Sequence, residues 1–67
     1  MIGYVKFFSE KKGWGFLVDN ETQVEYFVHF SSILMDGHKI LVENEKVSFD
    51  EDTDDKGRLK AKNVRKI

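Results

Sequence analysis

The sequence predicts an all-β protein, a small antiparallel barrel of Greek-key type. Three observations carry this prediction. Helical periodicity is poor throughout, and the best helical stretch, Ser31 to Met35, is about one turn long, which suits a 3₁₀ or loop element. Apolar and polar residues alternate in five short runs rich in aromatic and β-branched side chains. Clusters of Gly, Asn, Asp and Ser punctuate those runs. Five short strands gain most by closing on themselves, because closure removes the open edges that a lone sheet presents.

Each element follows from its residues. Gly3 to Phe8 is the first strand, dense in aromatic and β-branched residues. Trp14 to Asp19 is the second, alternating after a Gly-Trp-Gly punctuation. Val24 to Phe30 is the third: Val24, Tyr26, Val28 and Phe30 share one face, and Glu25, Phe27 and His29 the other. Lys46 to Asp50 is the fourth, with Val47 and Phe49 inward. Leu59 to Ile67 alternates imperfectly and supplies the fifth. Turns are expected at Ser9 to Lys12, Asn20 to Gln23, Asp36 to Lys39 and Asp52 to Gly57. This count and spacing suggest a five-stranded OB-fold barrel spanning residues 1–67 as one domain.

Composition bounds the function. A chain of 67 residues buries only about 60% of the surface its unfolded form exposes. The sequence has no cysteine, which excludes disulfides, thiolate metal sites and thiol catalysis. No apolar run is long enough to span a membrane, and no basic start leads into an apolar stretch, so a cytoplasmic protein without a secretory signal is expected. The net charge of −1 on its own argues against nucleic acid. The charges are nevertheless segregated. Asp50, Glu51, Asp52, Asp54 and Asp55 form an acidic block, followed directly by Lys56, Arg58, Lys60, Lys62, Arg65 and Lys66.

The aromatic residues are lopsided too. Eight of the nine precede residue 31, more than a core of this size can hide. If Leu17 points inward on the second strand, Trp14 and Phe16 point outward. If Tyr26 and Val28 point inward on the third, Phe27 and His29 point outward. A short loop joins the two strands, so they pair antiparallel and bring Trp14, Phe16, Phe27 and His29 onto one face, with Lys6 and Lys12 beside them. Outward aromatic pairs also stabilise sheets, and a lone exposed Phe means little. Four contiguous rings mark a binding surface. Rings beside lysines suit unpaired nucleic acid, whose bases stack and whose phosphates meet ammonium groups; duplexes hide those base faces.

The motifs here resemble those of the cold-shock domain family. Lys12-Gly13-Trp14-Gly15-Phe16-Leu17 is similar to its first ribonucleoprotein motif, and Tyr26-Phe27-Val28-His29-Phe30-Ser31 to its second. Val5-Lys6-Phe7-Phe8-Ser9 resembles the opening strand, which usually reads Val-Lys-Trp-Phe-Asn. Ser31-Ser32-Ile33, Val47-Ser48-Phe49 and Ala61-Lys62-Asn63-Val64 also fall where the family has similar residues. The resemblance covers essentially the whole chain. It implies a five-stranded OB barrel that binds single-stranded RNA or DNA with little sequence selectivity, acts as an RNA chaperone and is a monomer without an obligate protein partner. Carried over by position, Trp14, Phe16, Phe27, His29 and Phe30 match the stacking residues, Phe7 the exposed Trp and Phe8 a neighbouring aromatic. Lys6 and Lys12 match basic contacts, and Lys56 falls near a basic loop residue.

The departures from the family pattern are specific. Phe7 replaces Trp, Trp14 replaces Phe, and Ser9 replaces Asn. Tyr26 stands where an aliphatic core residue is usual, so its hydroxyl needs a partner or the surface. His38 stands at the position of a stacking Phe, in an outer subsite. The acidic loop is heavier than usual, would repel a passing strand, and lacks the frequent Gly-Pro.

Other constellations carry less. His29 and His38 lie nine residues apart with no cysteine and no clustered third ligand, so neither a metal nor a cofactor is expected. The acidic block lacks the spacing of a calcium loop. Gly13-Trp14-Gly15 has no third glycine and no following helix, so it is not a phosphate cradle; its glycines permit close backbone approach beside the rings. No nucleophile–base–acid set stands out, which points away from an enzyme. The basic run from Lys60 to Lys66 reads better as a counterweight to the acidic loop than as a groove rim. The alternative to nucleic acid is a protein partner docking on the same aromatic face, a reading favoured by the net charge and the acidic loop.

Overall fold

In a computed structural model of the protein, residues 1–35 and 40–67 are described. The expected turn at Asp36 to Lys39, and with it His38, lies outside the described residues. The strands are β1 (Ile2–Ser9), β2 (Trp14–Asp19), β3 (Glu25–His29), β4 (Lys46–Thr53) and β5 (Leu59–Lys66), with one 3₁₀ turn, Phe30–Ser32, after β3. They close into a barrel in the order β1-β2-β3-β5-β4. Four of the seams are antiparallel. The fifth, where β3 meets β5, is parallel and touches at Phe27 and Lys60.

Strand boundaries differ from the expected ones where side chains at the ends do other work. β3 is shorter by a residue at each end: Val24 is exposed, and Phe30 opens the 3₁₀ turn rather than ending the strand. β4 runs on to Thr53, because the acidic block pairs with the basic strand β5 all the way to the turn. The turn itself starts at Asp54, whose Oδ1 accepts from the amides of Lys56 and Arg58.

Inward-facing residues form one core of Val5, Leu17, Tyr26, Val28, Ile33, Leu41, Val47, Phe49, Ala61 and Val64. Tyr26 with Val28 and Val47 with Phe49 keep the two-residue period of a strand face, whereas Ala61 and Val64 on β5 are three apart. Tyr26 packs its ring on Phe49 at 5.2 Å, and its hydroxyl donates a hydrogen bond to Glu51 Oε1 at 2.8 Å. The tyrosine in an aliphatic position thus finds its partner in the acidic block. That bond, with burial, holds the Tyr26 phenol above its ordinary value of 10.0.

Two irregularities break the strict alternation. On β1 the register shifts between Val5, opposite Leu17, and Phe7, opposite Phe16. Lys6 is the extra residue, and Lys6 and Phe7 are both exposed. From Val5 inward, unbroken alternation would bury Phe7; the bulge brings it out instead and packs Phe8, opposite Gly15, against the core. On β5, Asn63 adopts a φ of 51° between the pairs Ser48–Arg65 and Asp50–Lys62, and its amide donates to Asp50 Oδ2 at 3.0 Å.

Candidate nucleic-acid interface

The β1 bulge and the antiparallel pairing of β2 with β3 build one outer face. Phe7, Phe16 and Phe27 stand in register across β1, β2 and β3, and Trp14 stands opposite His29 in the next outward row. Trp14 is the hub: its ring centroid lies 6.0 Å from Phe7, 5.8 Å from Phe16 and 6.0 Å from Phe27. Phe16 and Phe27 meet edge to face at 6.0 Å. The mutual packing half-buries Trp14 and Phe16, whereas Phe7 and Phe27 keep 41% and 36% of their surface exposed.

The two glycines around Trp14 make this possible. At Gly15 a Cβ would run into the backbone of Phe7 and Phe8, so only glycine lets β1 lie this close. Gly13 has a φ of 79°, and a Cβ there would sit 2.8 Å from Phe30 Cδ1. The Gly13 carbonyl also accepts from the Phe30 amide at 2.8 Å, docking the β1–β2 turn onto the 3₁₀ turn.

His29 belongs to the same edge. Its Nδ1 accepts from the Ser31 amide at 3.2 Å and lies 2.8 Å from Ser31 Oγ, capping the 3₁₀ turn. An amide only donates, so Nδ1 carries the lone pair and the neutral ring holds its proton on Nε2. Phe30 is 44% exposed and leans on His29 with centroids 4.5 Å apart.

The remaining sequence-predicted residues sort differently. Phe8 does not join the ring face, because the Lys6 bulge turns it toward the core. Lys12 is exposed in the β1–β2 turn, where its amide donates to Ser9 Oγ at 3.1 Å. Lys6 is exposed beside the rings and engaged: its Nζ lies 2.9 Å from Glu25 Oε2, and that hydrogen bond raises its ammonium above the ordinary 10.5. Lys56 is exposed in the β4–β5 turn. His38 lies outside the described residues.

Sequence reasoning gave Arg58 no place at the rings and set Lys60 in the counterweight run rather than on a groove rim. Both line a cavity of about 340 Å³ with Phe16, Phe27 and Asp54. The signal was topological: the parallel β3–β5 seam puts Lys60 in register with Phe27, continuing the row that starts at Phe7. The acidic block is largely engaged. Asp50 holds Asn63, Glu51 holds Tyr26, Asp52 lies 3.8 Å from Lys60, and Asp54 Oδ2 lies 2.8 Å from Arg58 Nε. Lys66 likewise meets Glu45 at 3.2 Å. Within the run from Lys60 to Lys66, Lys60 meets the acidic block and Lys66 meets Glu45 outside it, while Lys60 also lines the ring cavity, so both the counterweight and the groove-rim readings find support.

A small closed barrel carrying a contiguous ring face beside cationic side chains is the architecture of an OB-fold nucleic-acid-binding module. The comparisons agree. The family model described as the 'Cold-shock' DNA-binding domain matches residues 1–67, and the chain belongs to that nucleic-acid-binding family. Among curated relatives, a "Cold shock-like protein" of Aquifex aeolicus is 49% identical over 63 residues, covering 94% of this chain and 89% of its own. "Cold shock-like protein CspG" of Shewanella violacea is 48% identical over 62 residues, covering 92% and 87%. The "Major cold shock protein" of Micrococcus luteus is 42% identical over 66 residues, covering 98% and 97%. Among solved structures, "drosophila Unr CSD456" superposes with a TM-score of 0.80 at 26% identity, over 98% of this chain and 26% of that longer one. Among the described residues, no helix is long and apolar enough to cross a membrane.

Proposed function

We propose that the protein binds single-stranded RNA or DNA by stacking unpaired bases on Phe7, Trp14, Phe16, Phe27, His29 and Phe30, and that it acts as an RNA chaperone. The observation that supports this most is the ring row in register across three strands, with Trp14 at its centre. Every base has a π face, so such a platform is tolerant of sequence, at roughly 1–3 kcal/mol per stacked base. Lys12 and Lys6 stand beside the rings to meet phosphates, Lys6 by exchanging its Glu25 partner. Chaperoning needs no further machinery: binding energy gained only on unpaired bases shifts hairpins toward open strands. On this reading the protein works as a monomer in the cytoplasm.

Trp14 fluorescence tests it directly. A short oligothymidine is expected to quench Trp14, and a duplex of the same length to leave it unchanged. Equal quenching by both refutes the preference for single strands, and none at tens of micromolar with the fold intact refutes the stacking face and moves a protein partner on the same rings ahead.

A further inference from the structure

The cavity beside Phe27 has a polar lip that stacking does not use. Phe16 and Phe27 form its aromatic wall; Asp54, Arg58 and Lys60 complete it. Lys60 points its charge toward Asp52 at 3.8 Å. Arg58 is held differently. Its amide donates to Asp54 Oδ1 at 2.9 Å and its Nε to Asp54 Oδ2 at 2.8 Å, so one carboxylate grips both its backbone and its side chain. The Lys56 amide donates to the same carboxylate at 2.9 Å, and the Asp54 amide donates to the Arg58 carbonyl at 3.0 Å, which closes the turn. These bonds hold Asp54 below the ordinary 3.8, so it stays ionised at neutral pH.

A guanidinium has five donors in a planar fork. With Nε committed to Asp54, the donors on its two terminal nitrogens remain, and the side chain of Arg58 is 73% exposed. Two parallel donors in a plane select two adjacent acceptors in a plane. Among bases, guanine offers such a pair at O6 and N7, and cytosine at O2 and N3. Thymine and uracil alternate acceptor with donor, and adenine sets a donor next to each ring-nitrogen acceptor of its Watson–Crick and Hoogsteen edges.

We infer that Arg58, positioned by Asp54 at the lip of the Phe16–Phe27 cavity, reads the edge of a stacked base and favours one with two adjacent acceptors, guanine or cytosine, over thymine, uracil and adenine. This deepens the stacking proposal and rests on it. The heavy acidic turn then has a use: Asp54 trades the repulsion expected of a carboxylate for a fixed orientation of Arg58. Asp54 is a positioning residue here, and Arg58 the contact.

The test is a set of heptathymidines, each with one central base replaced by dG, dC or dA, titrated against Trp14 fluorescence. The readout is the ratio of affinities to that of unsubstituted heptathymidine. Expected are ratios of about fivefold or more for dG, dC or both, and near one for dA. The separate dG and dC arms tell which acceptor pair is read. Arg58→Gln and Arg58→Lys are both expected to bring the ratios to near one, since lysine keeps the charge but not the fork. Asp54→Asn is expected to lower them with thermal stability checked in parallel. Ratios near one in the wild type, or ratios that survive Arg58→Gln, overturn the inference. Phe27→Ala separates the two levels. Weakened binding to every oligonucleotide, with wild-type ratios near one, refutes base reading alone. Undiminished binding in Phe27→Ala refutes the stacking face and the inference together.

Discussion

The two halves of the barrel surface solve the same problem in opposite ways. The outer face of β1–β3 carries rings, and the β4–β5 ribbon carries charges. On the ribbon, acid meets base or a polar side chain at nearly each step: Asp50 with Asn63, Asp52 with Lys60, Asp54 with Arg58, while Glu51 turns to Tyr26. On the ring face the aromatic residues pack on one another, at about 6 Å, and leave Phe7 and Phe27 substantially exposed. The lesson is that the denser charge pattern is the internally satisfied one. The sites able to take a partner are those whose groups are left with unused faces or donors.

The largest expected effect breaks this contrast at a ring. Phe27→Ala is expected to cost about 1–3 kcal/mol of single-strand binding, roughly 5- to 150-fold in Kd, by removing one stacking surface. Its cost to folding should be smaller, because Phe27 is already 36% exposed. The matching change on the ribbon, Lys66→Gln, removes the partner of Glu45 and is expected to leave Kd within about twofold. Titration of both variants at one salt concentration checks the pair. Similar losses would mean that the basic strand is part of the groove after all.

The next effect, in size, concerns a hydrogen bond that joins the two regions. Tyr26 lies on β3 and Glu51 on β4, 2.8 Å apart. Tyr26→Phe is expected to lower unfolding stability by about 1 kcal/mol, while oligonucleotide affinity is kept. The pH dependence has a defined sign. The folded-state phenol is raised above 10.0, so the protonated, hydrogen-bonded form is the one that folding favours. Its contribution is fully present below pH 10 and is lost as pH rises through the higher folded value. Denaturation at pH 8 and above pH 10 should therefore show the wild-type advantage over Tyr26→Phe shrinking at the alkaline end. Lys6, raised above 10.5 by Glu25, is common to both proteins and cancels.

Much of this was legible in the sequence, and what was not has identifiable causes. β2 runs over the expected residues, and Leu17, Tyr26, Val28, Val47 and Phe49 are buried, because a two-residue period on a half-buried strand fixes which side each residue takes. Trp14, Phe16, Phe27 and His29 come together for the same reason, through the short β2–β3 connection. Phe8 was misplaced because a bulge is a register event: the residues Val5-Lys6-Phe7-Phe8 do not say that Lys6 is the one left over. The approach of Arg58 and Lys60 to Phe27 was not legible, and the groove-rim reading of Lys60 ranked second, because it depends on the parallel β3–β5 seam, a contact between segments some 30 residues apart with no shared pattern. The acidic block was read as repulsive because pairing depends on which cation stands opposite.

A smaller effect sharpens the comparison by counting phosphates. If the ring face supplies most of the affinity and only two or three cations meet phosphate, the slope of log K against log salt concentration should be shallow, about −0.7 for each phosphate. Lys12→Gln should reduce its magnitude by about 0.7. A much steeper slope would mean that the ribbon's cations leave their carboxylates to bind the strand. A slope of zero would favour a mainly apolar partner.

The smallest effect is at the boundary between the two regimes, where a charge pair sits beside the rings. Lys6 is the bulged residue of β1, and its Nζ is held by Glu25 at the start of β3 with both side chains about half exposed. Before Lys6 can neutralise a phosphate it must leave that carboxylate, and Glu25 then faces the incoming anion. Glu25→Gln removes both obstacles without touching a ring. It is expected to tighten single-strand binding by less than about fivefold, since exposed pairs of this kind are weak and screened by salt. The gain should fade as salt rises, and Lys6→Gln in the same background should abolish it. Tightening that persists without Lys6 would show that Glu25 acts by repulsion alone. Weaker binding in Glu25→Gln would show that the carboxylate holds Lys6 where the phosphate needs it, the same arrangement that Asp54 makes for Arg58 on the ribbon.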